Sequence, residues 1–190
     1  MRPKGLMRVV GGQAKGRRLK GTVSPGGRPT TERVRAAIFN MLHPEVYQDR
    51  QVLDLFAGSG SLGIEALSLG AANAVFVERD RRQCEVIRSN LERTGFDNQG
   101  QVRCEDVNKF LRNSSGPYQL VLMDPPYKME NLDQVLETLT SAMGVLEDGS
   151  VVVVGHSRFI VSNPEYGPLH LESTRLYGDN VVGIYRQGGD

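Results

Sequence analysis

Residues 51–69 read Gln-Val-Leu-Asp-Leu-Phe-Ala-Gly-Ser-Gly-Ser-Leu-Gly-Ile-Glu-Ala-Leu-Ser-Leu, and their reading decides the fold. Gln51 to Phe56 is a short, largely apolar strand, and Leu62 to Leu69 has the length and apolar content of a helix. Between them, Ala57-Gly58-Ser59-Gly60 lets the backbone turn sharply into the helix and pass close to a ligand. Dinucleotide-binding folds use a similar turn, in which the helix amino terminus faces a pyrophosphate. Asp54 separates the two cases. A carboxylate at this strand end repels an anion and attracts a cationic ligand, such as the amino acid portion of S-adenosylmethionine.

The alternation continues outward from this unit. Strands are expected at Ala74–Val77, Gln101–Cys104, Leu120–Met123 and Ser150–Val154, and two more at Leu169–Leu176 and Val181–Arg186. Helices are expected at about Arg82–Thr94, Val107–Leu111 and Leu132–Met143. Strands separated by helices of this length predict an α/β fold with a doubly wound, mostly parallel, seven-stranded Rossmann-like sheet. Upstream, Thr30 or Thr31 can cap a helix through Glu32–Leu42 that Pro44 ends. Short strands around Val9–Gly12 and Gly16–Gly21 suggest a β-hairpin before it. The chain therefore divides into a small hairpin-plus-helix extension, residues 1–45, and a sheet domain, residues 46–190.

Chemistry-bearing residues collect at the strand ends. Phe56, Ala57, Gly58, Ser59 and Gly60 form the first turn beside Asp54. Glu78-Arg79 ends the second strand, where an acid usually meets ribose hydroxyls. Asp106-Val107 follows the third, placing a carboxylate and a backbone N–H within reach of an adenine edge. After the fourth come Asp124-Pro125-Pro126-Tyr127. Two prolines can neither pair in a sheet nor begin a helix interior, so the loop is stiff and its carbonyls are free. A carboxylate, free carbonyls and a flat ring suit a planar nucleobase amine. Asp124, Pro125 and Tyr127 are the catalytic candidates, and Asp124 also borders the cofactor site. His43, His156 and His170 share no metal or triad spacing, Ser59 and Ser61 lack a base partner, and no metal is expected.

The net charge of +1 conceals a strong asymmetry. The first 35 residues hold ten basic side chains, including Arg2 and Lys4, against the single acid Glu32, leaving 13 bases and 21 acids for the rest. A basic arm on an acidic body points to a polyanionic partner. Arg8, Lys15, Arg17, Arg18, Lys20, Arg28, Thr30, Arg33 and Arg35 are the candidate nucleic-acid contacts. No apolar run approaches the roughly 20 residues that span a bilayer, and the amino terminus lacks the apolar region of a signal peptide. Cys84 and Cys104 form neither a metal-ligand spacing nor a disulfide framework, so a reducing cytoplasm is the expected setting.

Taken together, the motifs resemble those of class I S-adenosylmethionine-dependent methyltransferases. More narrowly, the chain is similar to the RsmD family of bacterial 16S ribosomal RNA guanine-N2 methyltransferases. The resemblance rests on Arg8-Val9-Val10-Gly11-Gly12 with Gly16-Arg17, on Arg28-Pro29-Thr30 and Arg35, and on Asp54–Gly60 with Leu62–Ser68. Asp124-Pro125-Pro126-Tyr127 and Tyr177-Gly178-Asp179 complete it. It implies S-adenosylmethionine as cofactor and methyl transfer to a guanine N2 amine of 16S ribosomal RNA. The expected partner is that RNA, in a 30S subunit or an assembly intermediate, and the expected state is a monomer away from membranes. The Asp-Pro-Pro-Tyr motif equally serves adenine-N6 methylation of DNA or RNA, but no separate target-recognition domain accompanies it here. In Val154-Gly155-His156-Ser157, Gly155 stands where the resemblance implies a glutamate, a departure that bears on base choice and not on the cofactor.

Overall fold

In the computed structural model, which describes residues 7–22, 30–126, 129, 131–160 and 162–188, the chain begins with a ribbon of β1 (Met7–Arg8) and β2 (Arg18–Leu19), paired antiparallel. The ribbon is shorter than the expected hairpin because, past Val9, whose N–H still donates to the Arg17 carbonyl, the chain bonds elsewhere. Val10 and Gly11 donate their N–H groups to Glu65, and Gln13 donates to the Ser68 carbonyl. The helix α1 (Glu32–Met41) follows, capped by Thr31, whose Oγ accepts from the Val34 N–H at 3.3 Å. Of the two adjacent threonines it is Thr31 that caps, which leaves the Thr30 side chain for another partner.

The rest alternates as β3 (Gln51–Leu55), α2 (Ser61–Ser68), β4 (Asn73–Glu78), α3 (Arg81–Thr94), β5 (Gly100–Cys104), α4 (Val107–Asn113), β6 (Leu120–Met123) and α5 (Leu132–Ser141). Then come β7 (Val151–Ser157), β8 (Glu165–Tyr166), β9 (Leu169–Tyr177) and β10 (Asn180–Gln187). The sheet order is β5-β4-β3-β6-β7-β10-β9-β8. β3 to β7 pair in parallel, whereas β10 inserts antiparallel between β7 and β9. The architecture is the expected one, with eight strands rather than seven. The added β8 spans two residues, too few to leave a periodic signal in sequence.

Both faces of the parallel strands are covered, which is why those strands are apolar without alternation. On one face, Val34 and Ile38 of α1, Ile64 and Leu67 of α2 and Ile87 and Leu91 of α3 pack on Val52, Leu120 and Val153. On the other, Phe110 and Leu111 of α4 and Val135 and Leu139 of α5 pack on Leu53, Val121 and Val152. No described helix is long and apolar enough to cross a membrane.

The topology also locates the site. β3 has β4 on one side and β6 on the other, so the chain order reverses there. In open α/β sheets ligands bind in the crevice outside the carboxyl ends of the strands at such a switch point. Leu55 pairs with Met123, and Met123 with Val154. Phe56, Asp124 and Gly155 therefore stand side by side at that edge.

Candidate active site

Asp54 is 1 % exposed, and its Oδ2 accepts the Gly63 N–H at 2.9 Å. That contact needs a glycine: a Cβ at Gly63 would lie 2.4 Å from the Phe76 ring. The intervening loop winds through positive φ at Phe56 (57°), Gly58 (55°) and Gly60 (75°). For Phe56, the one non-glycine of the three, this conformation costs on the order of 1–2 kcal/mol, strain of a kind that clusters at ligand sites. Glu78 braces the loop, accepting from the Gly58 N–H (3.0 Å) and the Asp80 N–H (2.9 Å). Asp106 caps α4 through Oδ1, which accepts from Asn108 and Lys109, while Val107 is buried behind it. Buried Ser59 meets Met7 Sδ at 3.5 Å, and its carbonyl accepts from Asn90, so it serves the loop and not nucleophilic chemistry.

Burial pushes the Asp54 carboxyl well above the usual range, the Gly63 N–H opposes the shift, and the charges of Asp124 and Glu78 add to it. Burial likewise raises Asp124, against a hydrogen bond from Thr30 that lowers it. An uncompensated cluster of carboxylates is a site for a cation. Among the described residues no group of three or more His, Cys, Asp and Glu side chains could hold a metal. Cys84 donates to the Glu78 carbonyl at 3.2 Å, and burial, then Cys104, pushes its thiol up to about 12, which keeps it protonated and inert.

Asp54, Phe56, Ala57, Gly58, Ser59, Glu78, Arg79, Asp106, Val107, Asp124 and Pro125 all line one cleft of about 880 Å³, and Gly60 caps α2 at its edge. The size suits a small-molecule site. Beyond Asp124 the cleft continues between Thr30, Val34 and Ile38 on one side and Gly155, His156 and Asn180 on the other. Periodicity could not reveal Asn180 as part of this wall, because β10 returns antiparallel from 56 residues beyond Asp124. At Gly155 the cleft floor is bare, and a Cβ there would lie 2.9 Å from Asp124 Oδ1. Tyr127 and Arg28, with Arg2, Lys4 and the 25–29 loop, fall outside the described residues.

Of the expected nucleic-acid contacts, Arg8, Lys15, Arg17, Arg18, Lys20 and Arg33 are exposed. Arg17 also donates to the Arg93 carbonyl at 3.1 Å. Arg35 departs from the expectation and is not a surface cation. It is 0 % exposed, donates to the carbonyls of Thr30 and Arg8, and lies 3.6 Å from Glu65. Its place three residues after the Thr31–Glu32 helix start turns it inward, onto α2. Thr30 is half-buried, and its hydroxyl donates to Asp124 Oδ2. A sequence reading of positive charge could not foresee a buried pair, since nothing local marks Glu65 as its partner.

A glycine turn at the sheet switch point, acids closing three adjacent strands and an Asp-Pro-Pro loop beside them define a class I S-adenosylmethionine-dependent methyltransferase. The residues lining the cleft fit that cofactor chemically: Asp54 could take its cationic amino acid end, Glu78 its ribose hydroxyls, and Asp106-Val107 its adenine. The family profile described as Conserved hypothetical protein 95 matches residues 7–186, and the chain belongs to that family, the RsmD family of methyltransferases. It is 41% identical over 150 residues to ribosomal RNA small subunit methyltransferase D of Escherichia coli K12, covering 79% of this chain and 74% of that one. It is 37% identical over 187 residues to YlbH of Bacillus subtilis, covering 96% and 100%. Among solved structures, yhhF of Escherichia coli superposes with a TM-score of 0.85 at 32% identity, covering 98% and 100%.

Proposed function

We propose that the protein methylates the exocyclic N2 amine of a guanine in 16S ribosomal RNA, with S-adenosylmethionine as donor. The observation that carries this reading is Asp124, one residue past β6 and across the switch point from Asp54, with Oδ1 facing the bare floor at Gly155. An exocyclic amine is a poor nucleophile because its lone pair is delocalised into the ring. Hydrogen bonds from the amine to Asp124 Oδ1 and the Pro125 carbonyl favour a pyramidal nitrogen and aim the lone pair. The sulfonium of the bound cofactor would supply an activated methyl and leave as the neutral thioether S-adenosylhomocysteine, and the nitrogen, made acidic by methylation, would then release its proton. Holding the two reacting atoms in line is worth several kcal/mol, up to roughly 7–11 in the best intramolecular cases. Tyr127, by its place in the motif, stacks on the base.

A base inside a duplex cannot reach this cleft, so the target is flipped out or single-stranded. The exposed bases of residues 1–45 contact flanking phosphates, which supply affinity rather than sequence. The ribosomal RNA substrate is supported by the identity to small subunit methyltransferase D, and guanine by the motifs shared with its family. The protein acts as a monomer, without a metal, on the 30S subunit or an assembly intermediate.

The test is to incubate the protein and labelled S-adenosylmethionine with small subunits, free ribosomal RNA and DNA, then identify the modified nucleoside. N2-methylguanosine in 16S RNA is the expected product, and N6-methyladenine would overturn the reading. Asp124→Ala should lower the rate by at least about 10²-fold, the size of a lost positioning contact, while leaving cofactor binding within a few-fold. An equal loss of cofactor affinity would reassign Asp124 to the cofactor.

A further inference from the structure

A carboxylate that must present one oxygen to an amine has two side-chain torsions to fix. At Asp124 the two oxygens have different surroundings. Oδ2 accepts the Thr30 hydroxyl, and Oδ1 lies over Gly155, where only the missing side chain leaves room. Thr30 is itself held. Its carbonyl accepts from Arg35 Nη1 at 2.9 Å, and the neighbouring Thr31 cap fixes the direction of the backbone. Arg35 in turn meets Glu65 and the Arg8 carbonyl, and Glu65 accepts the N–H groups of Val10 and Gly11. An unbroken line of hydrogen bonds and one ion pair runs from the ribbon, through α2 and α1, to the carboxylate beside the reacting nitrogen.

We infer that Thr30 is a positioning residue for Asp124, and that through it the amino-terminal extension sets the geometry of methyl transfer instead of serving only as an RNA tether. The inference rests on Asp124 being the acceptor of the target amine. With Oδ2 anchored, the carboxylate plane is fixed and Oδ1 is the oxygen left for the substrate. Without the hydroxyl, Asp124 can rotate about both torsions in a cleft that offers it no replacement donor from Gly155. The Thr30 hydroxyl also favours the ionised form against burial. The ionisable groups nearby are Asp54 on β3, Glu78 beyond it on β4, and His156 on β7, which lines the same cleft. Removing the hydroxyl therefore moves the acidic limb of the reaction to higher pH.

The experiment is single-turnover methyl transfer to small-subunit ribosomal RNA across pH, for wild type, Thr30→Val, Thr30→Ser and Asp124→Ala, with S-adenosylhomocysteine and RNA affinities measured alongside. Thr30→Val should slow transfer by about 10- to 100-fold, as a misplacement near 1 Å does. Both affinities should stay within a few-fold, and the acidic limb should rise. Thr30→Ser, which keeps the donor, should restore rate and limb to near wild type. If Thr30→Val folds poorly, Thr30→Ala makes the same comparison. A wild-type rate without the hydroxyl, an unmoved limb, or a serine variant as slow as the valine one overturns the inference. Full activity in Asp124→Ala, which has no acceptor at that position, would instead remove the acceptor role of Asp124 itself.

Discussion

The Asp54 carboxylate gives up nearly all its hydration and receives one backbone N–H, from Gly63, in return. A single neutral donor does not offset the burial of a charge, and the nearby Asp124 and Glu78 make ionisation harder still. On the proposed reading, a cation arriving in the cleft would restore what burial removed, so the same feature that costs folding stability would drive binding. Asn keeps the shape and the acceptor for Gly63 but not the charge. Asp54→Asn should therefore leave the melting temperature of the free protein unchanged or raised, while weakening S-adenosylmethionine binding by at least about tenfold, the equivalent of 1.4 kcal/mol. Calorimetry and thermal scanning on one preparation separate the two effects. A destabilised variant with intact affinity would show that the carboxylate serves the fold and not the ligand.

The buried pair Arg35–Glu65 joins α1 to α2. Burial lowers the Arg35 pKa, which Glu65 and then Glu32 oppose, and burial raises that of Glu65, which the Val10 and Gly11 N–H groups and then Arg35 oppose. Glu65→Ala leaves Arg35 buried without the carboxylate beside it and strips Val10 and Gly11 of their acceptor. It should cost about 3–5 kcal/mol in urea unfolding, the usual penalty for breaking such a pair from one side. The double variant Arg35→Met with Glu65→Gln removes both charges and keeps an amide oxygen for the ribbon, so it should recover much of the loss. No recovery would place the stabilisation elsewhere in α1. These two residues also mark where the sequence stopped being legible. The strand-turn-helix of 51–69 carries its own signal, because a glycine turn, an apolar strand and an acid are local, and so are the strand-end acids Glu78 and Asp106. Arg35 reads locally as one more cation of a basic arm. Its partner lies 30 positions away, and only packing decides that the helix turns it inward. Gly155 was legible, standing just past the predicted fifth strand, but Asn180 opposite it was not, because it is brought there by antiparallel pairing that no spacing announces.

The molecule as a whole is a basic ribbon and helix start on an acidic body, with the proposed cationic-ligand site in the body. The proposed division of labour assigns RNA affinity to the exposed arm cations. Neutralising Arg17 and Arg18 together should weaken RNA binding and lower the slope of log K against log salt by roughly 1.4–1.8, two phosphate contacts' worth. An unchanged slope would mean that the RNA is held elsewhere. The acidic body has its own consequence in pH. Asp54, Asp124 and Glu65 are all raised by burial, so in mildly acidic solution the folded protein holds protons that the unfolded chain has released. Stability falls with pH wherever the native state binds more protons. The contribution of these three groups is thus fully present below their unfolded values near about 4, and it is lost as the pH climbs through the raised folded values. The free protein should melt at a higher temperature near pH 5.5 than near pH 8. A bound cation draws Asp54 back toward ionisation, releasing a proton, so cofactor affinity should rise over the same interval. Saturating S-adenosylmethionine should accordingly raise the melting temperature more at pH 8 than at pH 5.5. A free protein insensitive to pH together with a constant cofactor increment would mean that these carboxylates are already neutralised by groups other than the ligand.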